Sequence, residues 1–223
     1  MSDQQAGAKR GIFNIEVARG KTFAQEKGLV EEAEEDGRSP EEDWAINVNA
    51  VTQLSRAGQW ERVFDTLVYL STRESNPKVH AAMGQRIWVA LKAEIPILDV
   101  TTSLSALQTM LGERHLLAGP LASLANLMCQ HRGLDDPEHA LAVSQVQQMF
   151  ELAAKEGAGI DNDEGFQNWV AEHKLDQPDH FIPFIMEMIE AMVGQEWWFS
   201  REALQADLDH YQAQKEAQQA ISS

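Results

Sequence analysis

Apolar side chains recur at every third or fourth position along most of the chain after residue 39, and this spacing predicts amphipathic α-helices. Ser39, Pro40 and Glu42 have the pattern of a capping box with proline in the first turn, which predicts the start of the first helix. Glycine and proline residues separate the apolar stripes that follow. These stripes are Trp44, Val48, Val51 and Leu54; Trp60, Val63, Phe64 and Leu67; Val79, Met83, Ile87 and Ala90; Val100, Leu104, Leu107 and Leu111; Leu117, Leu121, Leu124 and Met128. No segment alternates with a period of two, so the sequence predicts an all-α fold, a single irregular bundle of about nine helices.

The predicted helical domain covers residues 39–212, between two segments of different composition. Residues 1–38 carry charge blocks that are poor in apolar residues, and we expect a flexible N-terminal segment there. Residues 213–223 are expected to form a polar C-terminal tail. Within the N-terminal segment, residues 11–17 form an apolar patch that includes Phe13. This patch is expected either to pack on its own domain or to dock on another chain.

The formal charge of −17 bears on the class of partner. Such a charge repels phosphate and anionic lipid, and no cluster of Lys and Arg reverses it locally, so neither nucleic acid nor a membrane surface is an expected partner. The apolar stretches are far shorter than the roughly 20 residues of a membrane span, and residues 1–11 lack the apolar stretch of a signal peptide. Cys129 is the single cysteine, which fits a reducing compartment. We therefore expect a cytoplasmic protein.

Two similar stretches, LDDPEH at 134–139 and LDQPDH at 175–180, are candidates either for acid–histidine chemistry or for helix starts. With Asp135 and Asp176 as N-caps, the acids three residues later occupy the third helical position, where a carboxylate reaches back to the cap amide. Pro137 and Pro178 then fall in the first turn. Every shared residue thus has a structural role, and the pattern favours two helix starts. His139 is expected to point inward as a hydrogen-bonded core histidine.

The helix after the second stretch is predicted to be buried, because apolar side chains cover most of its circumference. One polar strip interrupts them, formed by His180, Glu187 and Glu190. Because burying two unpaired carboxylates is costly, the strip is expected to face solvent, a basic partner or a metal. For a metal, Asp207 and His210 are candidate further ligands, but the Glu-x-x-His pairs of a di-metal bundle are absent from the sequence.

Other chemistry is scarce in the sequence. There is no Gly-rich phosphate loop, no G-x-S-x-G, no Cys-x-x-Cys and no H-E-x-x-H. Cys129 follows Met128 on an apolar helix face and is interpreted as a small buried residue. No catalytic residue, cofactor or bound metal is therefore predicted.

Two adjacent tryptophans, Trp197 and Trp198, precede the last predicted helix, for which Ser200 is the expected cap. We expect one indole to pack inward and the other to lie nearer the surface. An exposed tryptophan beside a groove is a typical interaction hot spot, while packing of both in the core is the structural alternative.

The stretch QPDHFIPFIMEMIEAM at 177–192 resembles the late Pro-Asp-His segment of the assembly chaperones for molybdenum reductases, the NarJ and TorD type. Members of that group are acidic, cytosolic, all-α proteins that bind a partner's peptide or folding intermediate. The match involves Pro178, Asp179, His180 and, less well, Glu187, which lies one residue further from the histidine than in that group. The aromatic-rich upstream motif of the group is missing. The resemblance implies a binding role for this segment.

The sequence therefore favours a non-enzymatic protein-binding or assembly protein that works through a groove near residues 175–200. Its expected partner is another protein, and a homo-oligomer is a further possibility. The binding residues predicted are His180, Glu187, Glu190, Trp197, Trp198 and Phe13. The alternative from another class is a helical metal-dependent or redox enzyme that uses the carboxylate and histidine strip.

Overall fold

The structure is a computed structural model that describes the backbone of residues 39–222, with side chains to His210 and that of Ala213. Over these residues the chain forms nine α-helices and one π-helical segment, and no strand. The predicted all-α class is confirmed. The predicted flexible segment 1–38, with its patch at Phe13, lies outside the described residues. The helices are α1 (Pro40–Arg56), α2 (Trp60–Ser71), α3 (Val79–Lys92), α4 (Ile97–Leu111), α5 (Ala118–His131), α6 (His139–Glu151), the π-helical segment (Leu152–Gly157), α7 (Asp163–Glu172), α8 (Pro178–Val193) and α9 (Arg201–Ser222).

The helices group into two compact units along the chain. Within the described residues, one unit contains residues 39–93 together with residues 193–222, and the other contains Glu94–Met192. The boundaries predicted for one helical domain, residues 39–212, stay a prediction.

In the first unit α2 packs against α1 and α3, and α9 packs against α1 and α3. The predicted capping box is present, since the Ser39 hydroxyl accepts a hydrogen bond from the Glu42 amide and the Glu42 side chain accepts one from the Ser39 amide. The chain turns at Gly58, whose positive φ of 65° favours glycine. The apolar stripe predicted for α2 is fully buried.

In the second unit α4, α5 and α6 pack against one another in pairs, and the π-helical segment continues α6 and packs on α5. Their apolar stripes meet in a core that includes Leu104, Leu107 and Leu121. Gln108 is buried within it and donates hydrogen bonds to the carbonyl oxygens of Ala118 (2.9 Å) and Met149 (3.0 Å). One amide group therefore joins α4 to α5 and α6.

The first of the two similar stretches does not start a helix as predicted. Helix α6 begins at His139, and Pro137 lies outside it. The Asp136 carboxylate instead accepts a hydrogen bond from the Glu138 amide at 2.8 Å, which forms a local turn. The predicted N-cap at Asp135 is therefore wrong. The side-chain acceptor used in this segment is the Asp136 carboxylate, and it closes a turn before α6 instead of capping the helix. His139 is half-buried, and its Nε2 lies 2.9 Å from the carbonyl oxygen of Cys129.

The second stretch does start a helix, although not at the predicted cap. Helix α8 begins at Pro178, so this proline occupies the first turn as predicted, but Asp176 lies two residues before it. The prediction of a buried helix is wrong. Helix α8 buries a single stripe, Phe181, Ile185, Ile189 and Val193, while Phe184 and several other side chains of the opposite face are exposed. Helix α8 is therefore an amphipathic surface helix.

Candidate binding groove

The unit of residues 94–192 contains a groove of about 440 Å³, within the range of protein ligand pockets. Its walls come from four parts of the chain: residues 113–120, which are the α4–α5 loop and the start of α5; residues 153–158 of the π-helical segment and its end; residues 169–175 at the end of α7 and in the loop after it; and the start of α8. Apolar groups dominate the lining, among them Leu116, Leu117, Trp169, Leu175, Phe181 and Phe184.

Two glycines allow these walls to approach one another closely. A Cβ atom at Gly119 would lie 2.9 Å from the Trp169 ring and 3.1 Å from a methyl group of Leu175. A Cβ atom at Gly157 would overlap the carbonyl oxygen of Glu113. Because both glycines line the groove, its shape depends on the absence of side chains at these positions.

Large apolar side chains are left open to solvent at the groove. Leu116 is 78% exposed and Phe184 is 51% exposed. The lining residues Leu117, Leu175 and Phe181 are buried by contrast, which gives the groove a packed apolar base and exposed apolar edges. An exposed group of large apolar side chains beside a concave surface is typical of a site that binds another molecule.

Three histidines line the groove and are tied to its other residues. The Nδ1 atom of His115 accepts a hydrogen bond from the Leu117 amide at 3.2 Å. The Nδ1–H group of His173 donates a hydrogen bond to the Trp169 carbonyl oxygen, with 3.1 Å between the two heavy atoms. The His180 ring contacts the Phe184 ring edge-to-face, with 5.5 Å between the centroids. These contacts orient polar ring atoms beside the apolar lining.

The remaining charged residues of the lining are Glu113, Arg114 and Glu172, all exposed. They belong to the more acidic part of the chain. Residues 94–192 hold sixteen acids and four bases, a formal charge of −12, whereas residues 39–93 hold six of each. The groove therefore lies on the unit that carries most of the negative charge.

Of the predicted site residues that the structure describes, one reaches this groove. His180 lines it, whereas Glu187 and Glu190 are exposed further along α8 and do not. The expectation that this strip faces outward, rather than into a core, agrees with the exposure of all three side chains. Trp197 and Trp198 belong to the other unit, and Phe13 lies outside the described residues.

The two tryptophans do not divide into one inward and one outward side chain, and that prediction is wrong. Both are half-buried, because each has an aromatic partner: Trp197 packs edge-to-face on Trp88 at 5.2 Å, and Trp198 on Trp44 at 5.8 Å. The Arg201 guanidinium lies over the Trp197 ring at 4.7 Å. The Ser200 hydroxyl accepts a hydrogen bond from the Ala203 amide at 3.1 Å, which confirms the predicted cap of α9.

One buried side chain of α3, Gln85, holds the backbone on either side of Trp197 in place. Gln85 accepts a hydrogen bond from the Trp198 amide at 2.8 Å and donates one to the Glu196 carbonyl oxygen at 3.2 Å. The tryptophan pair is therefore held by packing and hydrogen bonds within its own unit.

Among the described side chains, no group of three or more His, Cys, Asp or Glu residues lies close enough together to hold a metal ion. Asp207, a candidate ligand of the metal alternative, accepts a hydrogen bond from the Trp60 indole N–H at 2.9 Å. Cys129 is buried as predicted, and burial raises the pKa of its thiol. Within residues 39–222, every helix is too short or too polar to cross a bilayer.

Several residues of the groove were not predicted as binding residues. The sequence patterns place them in helix stripes or in loops between helices. Leu117 was predicted as a stripe residue of α5, and Leu116, beside it, was not predicted at all. Adjacent leucines just before Gly119 and Pro120 are a weak signal, because neighbouring positions of a helix point in different directions and one of the two leucines can be left at the surface. Trp169 carried no signal of its own, since its role depends on the close approach of Gly119.

Comparison of the chain with protein families, curated proteins and solved structures gives no match.

Proposed function

We propose that this chain is a non-enzymatic, chaperone-like assembly protein that binds an apolar segment of another protein in the groove of residues 94–192. The observation that carries the proposal is the exposure of Leu116 (78%) and Phe184 (51%) beside a packed apolar base. Covering such side chains with a partner's apolar surface releases about 25 cal/mol for each Å² removed from water. The groove therefore offers a free-energy gain to a partner that brings apolar side chains.

The polar groups of the groove suit recognition of a chain segment. Ring nitrogens of His173 and His180 and the carboxylate of Glu172 lie among apolar side chains, an arrangement in which polar groups orient a ligand that apolar contacts hold. The resemblance to the assembly chaperones of molybdenum reductases supports the same role, because its Pro178-Asp179-His180 segment begins α8 at the groove. The single cysteine and the acidic composition support a cytoplasmic location.

The test is a double substitution at the groove edge, Leu116→Ser with Phe184→Ser. Both side chains are exposed, so the melting temperature should change by no more than a few degrees. A partner that copurifies with the wild-type chain from native extracts, identified by mass spectrometry, should be lost or strongly depleted with the variant.

The matched control is Leu134→Ser with Leu141→Ser. These leucines are also exposed, at 66% and 59%, and lie in the same unit outside the groove. The control should keep the partner at its wild-type level. Equal recovery by both double variants, or the absence of any stoichiometric partner, would contradict the proposed function.

A further inference from the structure

We infer that the segment bound in the groove is cationic, with Lys or Arg beside its apolar side chains, and that Glu113 and Glu172 select it. This inference rests on the proposed function and names the chemistry of its partner. The formal charge of residues 94–192 is −12, whereas residues 39–93 are balanced, so the unit that contains the groove attracts a cationic segment.

The acids of the groove are placed for this selection. Glu113 lies in the loop between α4 and α5, and Glu172 lies on α7, so carboxylates are presented from two different walls of the groove. Both side chains are exposed and line the groove, and Arg114 is the one Lys or Arg among the described residues that line it. A segment inserted there meets more negative than positive charge.

The surroundings add to this preference. Exposed Asp176 and Asp179 follow closely on Glu172 along the chain and flank the start of α8. Lys174, between Glu172 and Asp176, is the one Lys or Arg of residues 172–179. An anionic segment would approach a unit of the same sign, and like-charge juxtaposition across an interface is strongly unfavourable. A cationic segment would be attracted at a distance and then paired at the groove.

The experiment uses the full chain and three fluorescein-labelled peptides of twelve residues. The first alternates Leu and Phe with Lys, the second has Gln at every Lys position, and the third has Glu there. In 50 mM NaCl the Lys peptide should bind most tightly and the Glu peptide least tightly, as measured by fluorescence anisotropy. The difference in affinity between the Lys peptide and the Gln peptide should shrink as NaCl is raised to 300 mM, because salt screens exposed charges.

The double variant Glu113→Gln with Glu172→Gln should weaken binding of the Lys peptide by about twofold to thirtyfold, the range expected for two exposed ion pairs. Binding of the Gln peptide should be unchanged. The control, Asp135→Asn with Glu187→Gln, removes the same number of charges from exposed positions of the same unit that do not line the groove. This control should weaken binding of the Lys peptide by a smaller factor than Glu113→Gln with Glu172→Gln does.

The outcomes separate this inference from the proposed function. If the Lys and Gln peptides bind equally, or if the two acid variants behave alike, the inference is overturned. The proposed function survives that result provided that Leu116→Ser with Phe184→Ser abolishes binding of both peptides. If none of the three peptides binds the wild-type chain, both proposals fail.

Discussion

At Gly157 the space for a side chain is filled by backbone, and this makes the residue more sensitive to substitution than Gly119. A methyl group at Gly157 would overlap the carbonyl oxygen of Glu113, whereas one at Gly119 would press on the Trp169 ring, which can rotate. We expect Gly157→Ala to lower the free energy of unfolding by about 3 kcal/mol and Gly119→Ala by about 1 kcal/mol. For a chain of this size each kcal/mol corresponds to roughly 2–4 °C in melting temperature, so calorimetry resolves the two.

The gain in helix propensity from Gly to Ala, about 1 kcal/mol at most, acts in the same direction at both positions and does not change their order. Since the Glu113 loop forms one wall of the groove, Gly157→Ala should also weaken binding of the apolar peptides. Equal stability of the two variants would show that the loop of residues 112–117 yields easily.

Cys129 is the residue whose chemistry depends most directly on burial. Burial raises the pKa of its thiol, so less thiolate is present at a given pH than for an exposed cysteine. We expect the native chain to react with a thiol reagent at pH 8 more slowly than the chain unfolded in guanidinium. Reaction at similar rates would mean that the α5 segment around Cys129 opens readily.

The same shift has a consequence for stability. A group whose pKa is raised in the folded state contributes fully below its unfolded-state pKa, about 8.5 for cysteine, and its contribution is lost as the pH rises through the folded pKa. The free energy of unfolding should therefore fall above pH 8.5 more steeply in the native chain than in Cys129→Ser. Parallel curves for the two chains would contradict this assignment.

At the scale of single elements, the starts of α1 and α6 give a matched test of what makes a helix cap. Ser39 forms both hydrogen bonds of a capping box, whereas exposed Asp135 lies four residues before α6 and caps nothing. We expect Ser39→Ala to lower the free energy of unfolding by about 1 kcal/mol and Asp135→Ala to change it by less than about 0.5 kcal/mol. Chemical denaturation measures both. A larger loss at Asp135 would restore it as a cap.

The elements also show which predictions a sequence pattern can carry. The stripe of α2 and the box at Ser39 were predictable, because each depends on residues within one or two turns. The exposure of one face of α8 was not predictable. Apolar side chains around most of a helix are compatible with burial on all sides, and whether it is buried depends on how many helices pack against it. The two similar stretches diverge for a comparable reason: Leu175 is buried in the groove base, whereas Leu134 has no such surface and is 66% exposed.

The candidate groove was predictable only at His180. Its other walls meet through contacts between residues distant in sequence, such as Gly119 with Trp169 and Gly157 with Glu113. The π-helical segment that brings Gly157 into place follows α6 without a break and has no motif that distinguishes it from a continued α-helix. The groove expected near residues 175–200 therefore overlaps the candidate groove only along one of its four walls, and its role in binding stays a prediction.

At the scale of the whole molecule, the uneven charge predicts how stability responds to salt. A formal charge of −17, of which −12 lies on residues 94–192, produces self-repulsion that is relieved when the chain unfolds. The Debye length falls from about 30 Å at 0.01 M salt to about 10 Å at 0.1 M, so added salt screens repulsion between exposed carboxylates. We expect the melting temperature to rise by a few degrees between 10 and 200 mM NaCl.

The variant Asp135→Asn with Glu187→Gln tests the cause of that rise, because it removes two exposed charges outside the groove without touching the apolar core. It should melt higher than the wild-type chain at 10 mM NaCl, and its gain on adding salt should be smaller. If the exposed carboxylates cause both effects, salt should act on binding and on stability in opposite directions. Added salt should weaken binding of a cationic peptide and should raise the melting temperature of the free chain. A melting temperature that falls with salt would instead mean that attractive ion pairs outweigh this repulsion.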